Sequence, residues 1–170
     1  MPKTAQAVPP HSFFRPAVFA LKPPEPVLTE LSEQKAILRG HMRGIREEAA
    51  ARDPDAAEKL AARFPIKLFE RYGPVVPGYV AIGDELDPAP LLERLKGAGA
   101  VIALPRVERL HDGPSMTFRD ADPKYLEAGP FGLTQPSSEA PEVRPSLVLA
   151  PLLAFDVRGV RLGYGKGHYD

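Results

Sequence analysis

The spacing of apolar and polar residues predicts that the chain begins its folded part with a helix. Thr29 or Ser32 can cap this helix, because a hydroxyl oxygen accepts from the free backbone N–H groups of a first turn. Apolar residues then recur at helical spacing and are expected to face the core: Leu31, Leu38, Met42 and Ile45.

The rest of the chain reads as an alternation of strands and helices. Asp53-Pro54 and Asp87-Pro88 each resemble a capped helix start with proline in the first turn. Helices are predicted at 53–64 and from 87 to Gly97 or Gly99, with strands at 79–82, 101–104, 116–119 and 147–153. The strand at 116–119 is expected at a sheet edge, and residues 120–145 form a long excursion rich in proline, glycine and serine.

A strand, a helix and a second strand within residues 79–104 are the βαβ unit of a parallel sheet. We therefore predict a single three-layer α/β/α domain over 28–170, with a mainly parallel, Rossmann-like sheet. Residues 1–27 are rich in proline and lack regular periodicity, which indicates a disordered or loosely attached extension, with a transit peptide as the alternative.

A glycine-rich loop follows the last apolar run. Gly163, Gly165 and Gly167 stand at alternate positions, with Arg161 and Lys166 adding positive charge. Such a loop after a buried strand suits a phosphate group, although it matches neither the P-loop nor the dinucleotide fingerprint. A glycine-rich surface turn is the simpler alternative.

Charged residues elsewhere allow similar pairs of interpretations. Lys35, Arg39, Arg43 and Arg46 form a basic stripe on the first helix, which is most often a solvated face. Glu85 and its neighbour Asp84 follow the predicted strand at 79–82, at the end where open α/β sheets place ligands; they could equally be ordinary acidic loop residues.

The glycine loop and the residues before it resemble a known family signature. The residues that carry the resemblance are Ala150-Pro151-Leu152-Leu153-Ala154-Phe155-Asp156, then Gly159, then Arg161-Leu162-Gly163-Tyr164-Gly165-Lys166-Gly167-His168-Tyr169-Asp170. This pattern is similar to that of the 5-formyltetrahydrofolate cyclo-ligases, also called methenyltetrahydrofolate synthetases. Lys35, Leu38 and Arg39 resemble the family's Lys-x-x-Leu-Arg helix. Ser146 and His168 depart from the usual residues, and the resemblance covers about 35–170.

The resemblance implies an enzyme that closes 5-formyltetrahydrofolate to 5,10-methenyltetrahydrofolate while ATP becomes ADP and phosphate. It assigns ATP binding to Lys35, Arg39, Arg161, Leu162, Gly163, Tyr164, Gly165, Lys166, Gly167, His168 and Tyr169. It assigns the folate to Val80, Glu85, Phe155 and Tyr164, and Mg²⁺ to Asp170. Family chains continue beyond this point and supply a second acidic ligand, so we expect this chain to lack that tail, as a fragment or a truncated product.

Composition excludes several other classes of protein. The 22 basic and 22 acidic residues cancel, so no global field favours nucleic acid or an anionic membrane. The absence of cysteine rules out disulfides and thiolate catalysis, and no apolar run reaches the ~20 residues that span a bilayer. We expect a cytoplasmic monomer whose partners are small molecules. The rival hypotheses are a non-catalytic nucleotide- or folate-binding relative and an interaction module that acts through residues 1–27.

Overall fold

Four helices form the first half of the fold. The computed structural model describes residues 25–110, 113–165, 167 and 169. The helices are α1 (Glu25–Arg52), α2 (Ala56–Arg63), α3 (Ile66–Tyr72) and α4 (Ala89–Gly97). Pro26 falls in the first turn of α1, where the missing N–H breaks no helical hydrogen bond, so α1 begins earlier than predicted.

The strands form one mixed sheet and two small ribbons. They are β1 (Val75–Pro77), β2 (Val101–Leu110), β3 (Gly113–Asp120), β4 (Glu127–Ala128), β5 (Thr134–Gln135), β6 (Glu142–Val143), β7 (Ala154–Phe155) and β8 (Arg161–Leu162). The four-stranded sheet has the order β1-β2-β3-β6, while β4 pairs with β5 and β7 pairs with β8.

The predicted mixed α/β class is confirmed, but the mainly parallel sheet is wrong for the described residues. Only β1 and β2 run parallel there, with Val76 opposite Ile102; β2–β3 and β3–β6 are antiparallel. The cause lies in β2, which continues past the predicted strand 101–104 to Leu110 and pairs along its length with β3. Because β3 also pairs with β6, it is not the edge strand that the sequence predicted. The three-layer, Rossmann-like arrangement stays a prediction.

Two further strand predictions are wrong. The strand that precedes α4 is β1, at Val75–Pro77, and the predicted 79–82 is an extended loop without ladder pairing. Residues 147–153 also lack strand pairing, although the Leu149 N–H donates to the Pro77 carbonyl at 3.0 Å. In 147–153, Leu147 and Leu149 pack against the hydrophobic core, whereas Val80 and Ile82 are 42% and 55% exposed. An apolar run alone does not distinguish such segments from a strand.

One hydrophobic cluster joins α2, α3 and α4 to β1 and β2. Leu91 and Leu95 of α4 are almost completely buried, as is Val76 of β1. Ala61 of α2 and Ile102 of β2 complete the contact between helices and sheet. The predicted inward face of α4 is therefore confirmed, and burial of these side chains supplies the main favourable term for folding.

The predicted inward face of α1 is wrong. Leu31, Leu38 and Ile45 are 46%, 47% and 40% exposed, and only Met42 of the predicted set is half-buried. The half-buried positions of α1 are Arg39, Met42 and Arg46, which follow each other at spacings of three and four. In the described part of the chain, α1 therefore turns a largely basic face toward the rest of the fold.

The same substitution at two leucines tests this division between core and surface. Leu95→Ala should lower the free energy of unfolding by ~2–5 kcal/mol, because it leaves a cavity in the cluster. Leu38→Ala should change it by less than ~0.5 kcal/mol, because that side chain is already half exposed. Urea unfolding followed by circular dichroism measures both, and a similar loss for Leu38→Ala would show that α1 is packed by its apolar face.

Candidate active site

The β7–β8 hairpin positions the start of the glycine loop. The Asp156 carboxylate accepts from the backbone N–H groups of Arg158 and Val160, at 2.8 and 2.9 Å. Gly159 has φ +82°, which suits glycine in this turn. The bond from Val160 is the main reason that the pKa of Asp156 lies below its ordinary value. Asp156 and Gly159, which stand three residues apart, therefore close the turn between β7 and β8, and β8 leads directly into the glycine loop.

Arg39 of α1 holds the glycine loop from one side. Its Nε donates to the Gly163 carbonyl at 2.9 Å. Gly165 has φ +85°, and a Cβ at that position would lie 3.0 Å from the Arg39 Cζ. Both the backbone conformation and the close approach of the guanidinium therefore favour glycine at position 165.

Arg46, two turns further along α1, connects the glycine loop to the acidic loop. Its Nε and Nη2 donate to the two carboxylate oxygens of Asp84 at 2.9 and 2.8 Å, a bidentate pair. Its Nη1 donates to the Tyr164 hydroxyl, and its Cζ lies 5.5 Å from the centre of the Tyr164 ring. The hydrogen bond between the two side chains raises the pKa of Arg46 above its ordinary value and lowers the pKa of Asp84 below its ordinary value.

Glu85 lies beside this pair and is more enclosed. Its side chain is only 8% exposed, against 31% for Asp84. The Glu85 carboxylate accepts from the Ile82 N–H at 2.9 Å and lies 3.9 Å from the Arg46 Nη1. It also interacts with the Tyr164 hydroxyl and helps to raise the pKa of that phenol. Tyr164 thus accepts from Arg46 and interacts with Glu85, so its phenol connects the two loops.

A cavity of about 750 Å³ opens next to these charged groups. Arg46, Asp84 and Glu85 border it. Most of its remaining wall is apolar and comes from α1, α2, α4 and the segment 148–153: Ala49, Ala50, Leu60, Phe64, Leu91, Val148, Leu149, Pro151 and Leu153. An apolar cavity with a few polar groups on its border is the usual form of a small-molecule site.

Three tyrosines near the acidic loop have raised pKa values. Burial is the largest cause in each case, and the negative charge of Glu85 adds to it. The pKa of Tyr79, Tyr164 and Tyr169 is raised to about 12. All three phenols are therefore neutral at physiological pH and can donate hydrogen bonds.

The structure brings some of the predicted site residues together and leaves others apart. Arg39, Gly163, Tyr164, Gly165 and Glu85 lie in the network described above. Arg161 and Leu162 form β8, and the Arg161 guanidinium donates to the Tyr169 carbonyl. Gly167, with φ +70°, is exposed.

Other predicted site residues are not at the cavity. Lys35 is exposed on α1. Val80 and Phe155, elsewhere in the fold, are 42% and 75% exposed. None of these three lines the cavity that Glu85 borders. Lys166, His168 and Asp170 lie outside the described residues.

Sequence reasoning gave too little weight to Arg46 and Asp84. Arg46 was interpreted as part of a solvated stripe, whereas its side chain is 19% exposed and fully engaged by both loops. A signal was available, because Arg46 follows Arg39 by seven residues and must share its helix face. The partner could not be foreseen, since 38 residues separate Arg46 from Asp84.

The described residues contain no cluster of three or more His, Cys, Asp or Glu side chains that could hold a metal ion. Such a cluster is not required for Mg²⁺, which commonly takes one or two carboxylates together with substrate phosphates. No helix within the described ranges is both long and apolar enough to cross a membrane.

Comparison with known proteins identifies the family. The sequence model of the 5-formyltetrahydrofolate cyclo-ligase family matches residues 31–170. The chain is 27% identical over 135 residues to the 5-formyltetrahydrofolate cyclo-ligase of Escherichia coli (strain K12), covering 74% of each protein. It is 24% identical over 144 residues to that of Haemophilus influenzae, covering 82% of this chain and 77% of the relative. The chain therefore belongs to the 5-formyltetrahydrofolate cyclo-ligase family.

Solved structures agree in fold. The NMR structure of the 5,10-methenyltetrahydrofolate synthetase of Aquifex aeolicus superposes with a TM-score of 0.60 and 28% identity, over 80% of this chain and 70% of that one. The 5,10-methenyltetrahydrofolate synthetase of Mycoplasma pneumoniae gives a TM-score of 0.54 and 22% identity, over 79% and 74% of the two chains. At that identity, the second match supports the fold alone.

Alkaline titration tests the enclosure of the three tyrosines. Their folded pKa of about 12 exceeds the unfolded value of ~10. The raised pKa values of these tyrosines therefore contribute fully to the free energy of unfolding below pH ~10. This contribution is lost as the pH rises through 12. Tyrosinate absorbance should show a late phase in the native protein that merges with the main phase in denaturant. Tyr79→Phe should remove one tyrosine from the late phase; an unchanged late phase would contradict the burial of Tyr79.

Proposed function

We propose that this protein is an enzyme that closes 5-formyltetrahydrofolate to 5,10-methenyltetrahydrofolate and uses ATP as co-substrate. The observation that carries the proposal is the meeting of two loops with different chemistry. The glycine loop, suited to phosphates, contacts the acidic loop at the border of the cavity through Tyr164, Glu85 and Arg46. Family membership supplies the reaction for which this arrangement is suited.

The reaction needs activation because a formamide oxygen is a poor leaving group. Transfer of the γ-phosphoryl group of ATP to the formyl oxygen releases ADP. The folate N10 then attacks the formyl carbon and loses its proton, and the oxygen departs as phosphate. Chemistry of this kind depends mainly on positioning and on stabilising charge, so it needs no protein nucleophile.

The ATP site is proposed to include Lys35, Arg39 and the loop from Arg161 to Tyr169. Positive φ at Gly165 and Gly167 supports the proposal, because backbone N–H groups can then turn toward phosphate oxygens. Arg39 already donates Nε to the Gly163 carbonyl, so its Nη1 and Nη2 groups would be the ones that reach a phosphate. The roles of Lys166 and His168 rest on the sequence signature.

The folate is proposed to bind at the border of the cavity. A pterin presents a ring N–H beside an exocyclic amine, and a carboxylate has enough lone pairs to accept from both. Glu85 is enclosed and already accepts from the Ile82 N–H, which fixes its orientation for such an edge. Val80, Phe155 and Tyr164 do not line the cavity, and they are proposed to contact the part of the ligand that extends outside it.

Magnesium is proposed to accompany ATP, with Asp170 as its protein ligand. Asp170 would hold the ion, which would neutralise negative charge on the phosphates of ATP. A monomeric state, a cytoplasmic location and the absence of nucleic-acid or membrane partners stay predictions.

Activity is tested directly by incubating the purified chain with 5-formyltetrahydrofolate and MgATP. The proposal expects ATP-dependent growth of the ultraviolet absorbance of the methenyl product and one phosphate released per product. Titration with a non-hydrolysable ATP analogue and with the folate separates binding from turnover. Binding of both ligands without product would favour a non-catalytic relative, and binding of neither would refute the proposal.

Substitution of Glu85 tests whether the folate and ATP are bound by different residues. Glu85→Gln keeps the size but turns one acceptor oxygen into a donor, so folate binding should weaken by ~1.5–3 kcal/mol. ATP affinity should stay nearly unchanged. Calorimetric titration measures both, with Glu70→Gln on the exposed surface of α3 as the matched control. Equal losses for folate and ATP would show that Glu85 has a structural role.

A further inference from the structure

We propose that Arg46 is a positioning residue, which holds Tyr164 and the Asp84-Glu85 pair in one arrangement and so sets the affinity for the folate. The inference rests on the proposed function and assigns to Arg46 a role at the same site. Arg46 acts through its neighbours and does not contact the phosphates of ATP.

The geometry of the guanidinium supports a positioning role. All three of its nitrogens are engaged within the protein: Nε and Nη2 by Asp84, and Nη1 by Tyr164. The planar fork matches the Asp84 carboxylate in the bidentate geometry that lysine cannot reproduce. The bonds from Arg46 therefore fix the position of Asp84 and of the Tyr164 hydroxyl at the same time.

The effect reaches Glu85 by two routes. Tyr164 accepts from Arg46 and interacts with Glu85, so the position of its hydroxyl relative to Glu85 depends on Arg46. The Arg46 Nη1 also lies 3.9 Å from the Glu85 carboxylate, which places one positive charge between two adjacent carboxylates. Without this charge, Asp84 and Glu85 would repel each other, and the acidic loop would move away from Tyr164.

A purely structural role predicts a different result. The pair is only partly enclosed, because Asp84 is 31% exposed, and pairs of this kind contribute little to the free energy of unfolding. α1 also keeps its contact through Arg39 when Arg46 is replaced. We therefore expect loss of Arg46 to affect the site much more than the stability of the fold.

The experiment compares Arg46→Ala, Arg46→Lys and Arg43→Ala. Arg43 is exposed on the same helix, and its replacement removes the same charge without touching either loop. For Arg46→Ala we expect the KM for 5-formyltetrahydrofolate to rise by about tenfold or more, the loss of ~1.4 kcal/mol of binding. The KM for ATP should rise much less, because Arg39 still holds the Gly163 carbonyl, and the thermal midpoint should stay nearly unchanged.

Two further measurements separate the effect of the bidentate guanidinium geometry from the effect of the positive charge alone. Arg46→Lys should give an intermediate KM, because it keeps the charge but not the bidentate pair. Added ethylguanidinium should partly restore the KM of Arg46→Ala and leave that of Arg43→Ala unchanged. Equal increases in both KM values, a large fall in the thermal midpoint, or Arg43→Ala matching Arg46→Ala would overturn the proposal.

A second measurement does not depend on the proposed function. Amide hydrogen exchange should show that segments 82–86 and 161–165 lose protection together in Arg46→Ala but not in Arg43→Ala. If only one segment changes, or neither, Arg46 does not couple the loops, whatever ligands the protein binds. If the segments respond together but the wild-type chain binds no folate, the coupling stands and the proposed function fails.

Discussion

The attachment of α1 through arginine side chains is the contact on which the site depends. The apolar residues Leu31, Leu38 and Ile45 of this helix are exposed, whereas Arg39 and Arg46 reach into the fold. Arginine suits this task because its long stem covers apolar surface while its planar head binds carboxylates and carbonyls at fixed angles. One helix thereby holds two loops that are far apart in sequence and come from different parts of the fold. The loops do not pair with each other as strands, so these side chains determine their relative position.

The sequence predicted the elements with strong local signals. Helix α4 was predicted closely because Asp87-Pro88 marks its start and Leu91, Leu92 and Leu95 repeat at helical spacing. The glycine loop was predicted because its glycines, its charges and the apolar run before it lie within one short segment. The resemblance assigned both Glu85 and Tyr164 to the folate, and these two side chains do interact in the structure. The signals for α4 and for the glycine loop depend on neighbouring residues alone.

The predicted parallel pairing of the strands that flank α4 is confirmed, with the first strand at Val75–Pro77, but other predictions that needed long-range pairing were wrong. Residues 79–82 and 147–153 are apolar enough for strands, but ladder partners exist only when another segment arrives in register. The strand β2 shows the reverse case: Pro105 and Arg106 suggested its end, yet pairing with β3 carries it on to Leu110. The inward face of α1 was wrong for a related reason. Its apolar stripe is real, but Asp84 and the Gly163 carbonyl offer partners that favour the basic face.

The same attachment gives this protein an unequal response to salt. Apolar burial around Leu95 is insensitive to moderate ionic strength, so the core of helices and sheet should keep its stability. Partly exposed ion pairs such as Arg46–Asp84 weaken as the Debye length falls from ~10 Å at 0.1 M to ~3 Å at 1 M. High salt should therefore loosen α1 from the two loops well before the domain unfolds. The chain would then have two states, one with the site assembled and one with the site loosened around an intact core. Ionic strength, instead of temperature, would decide between them.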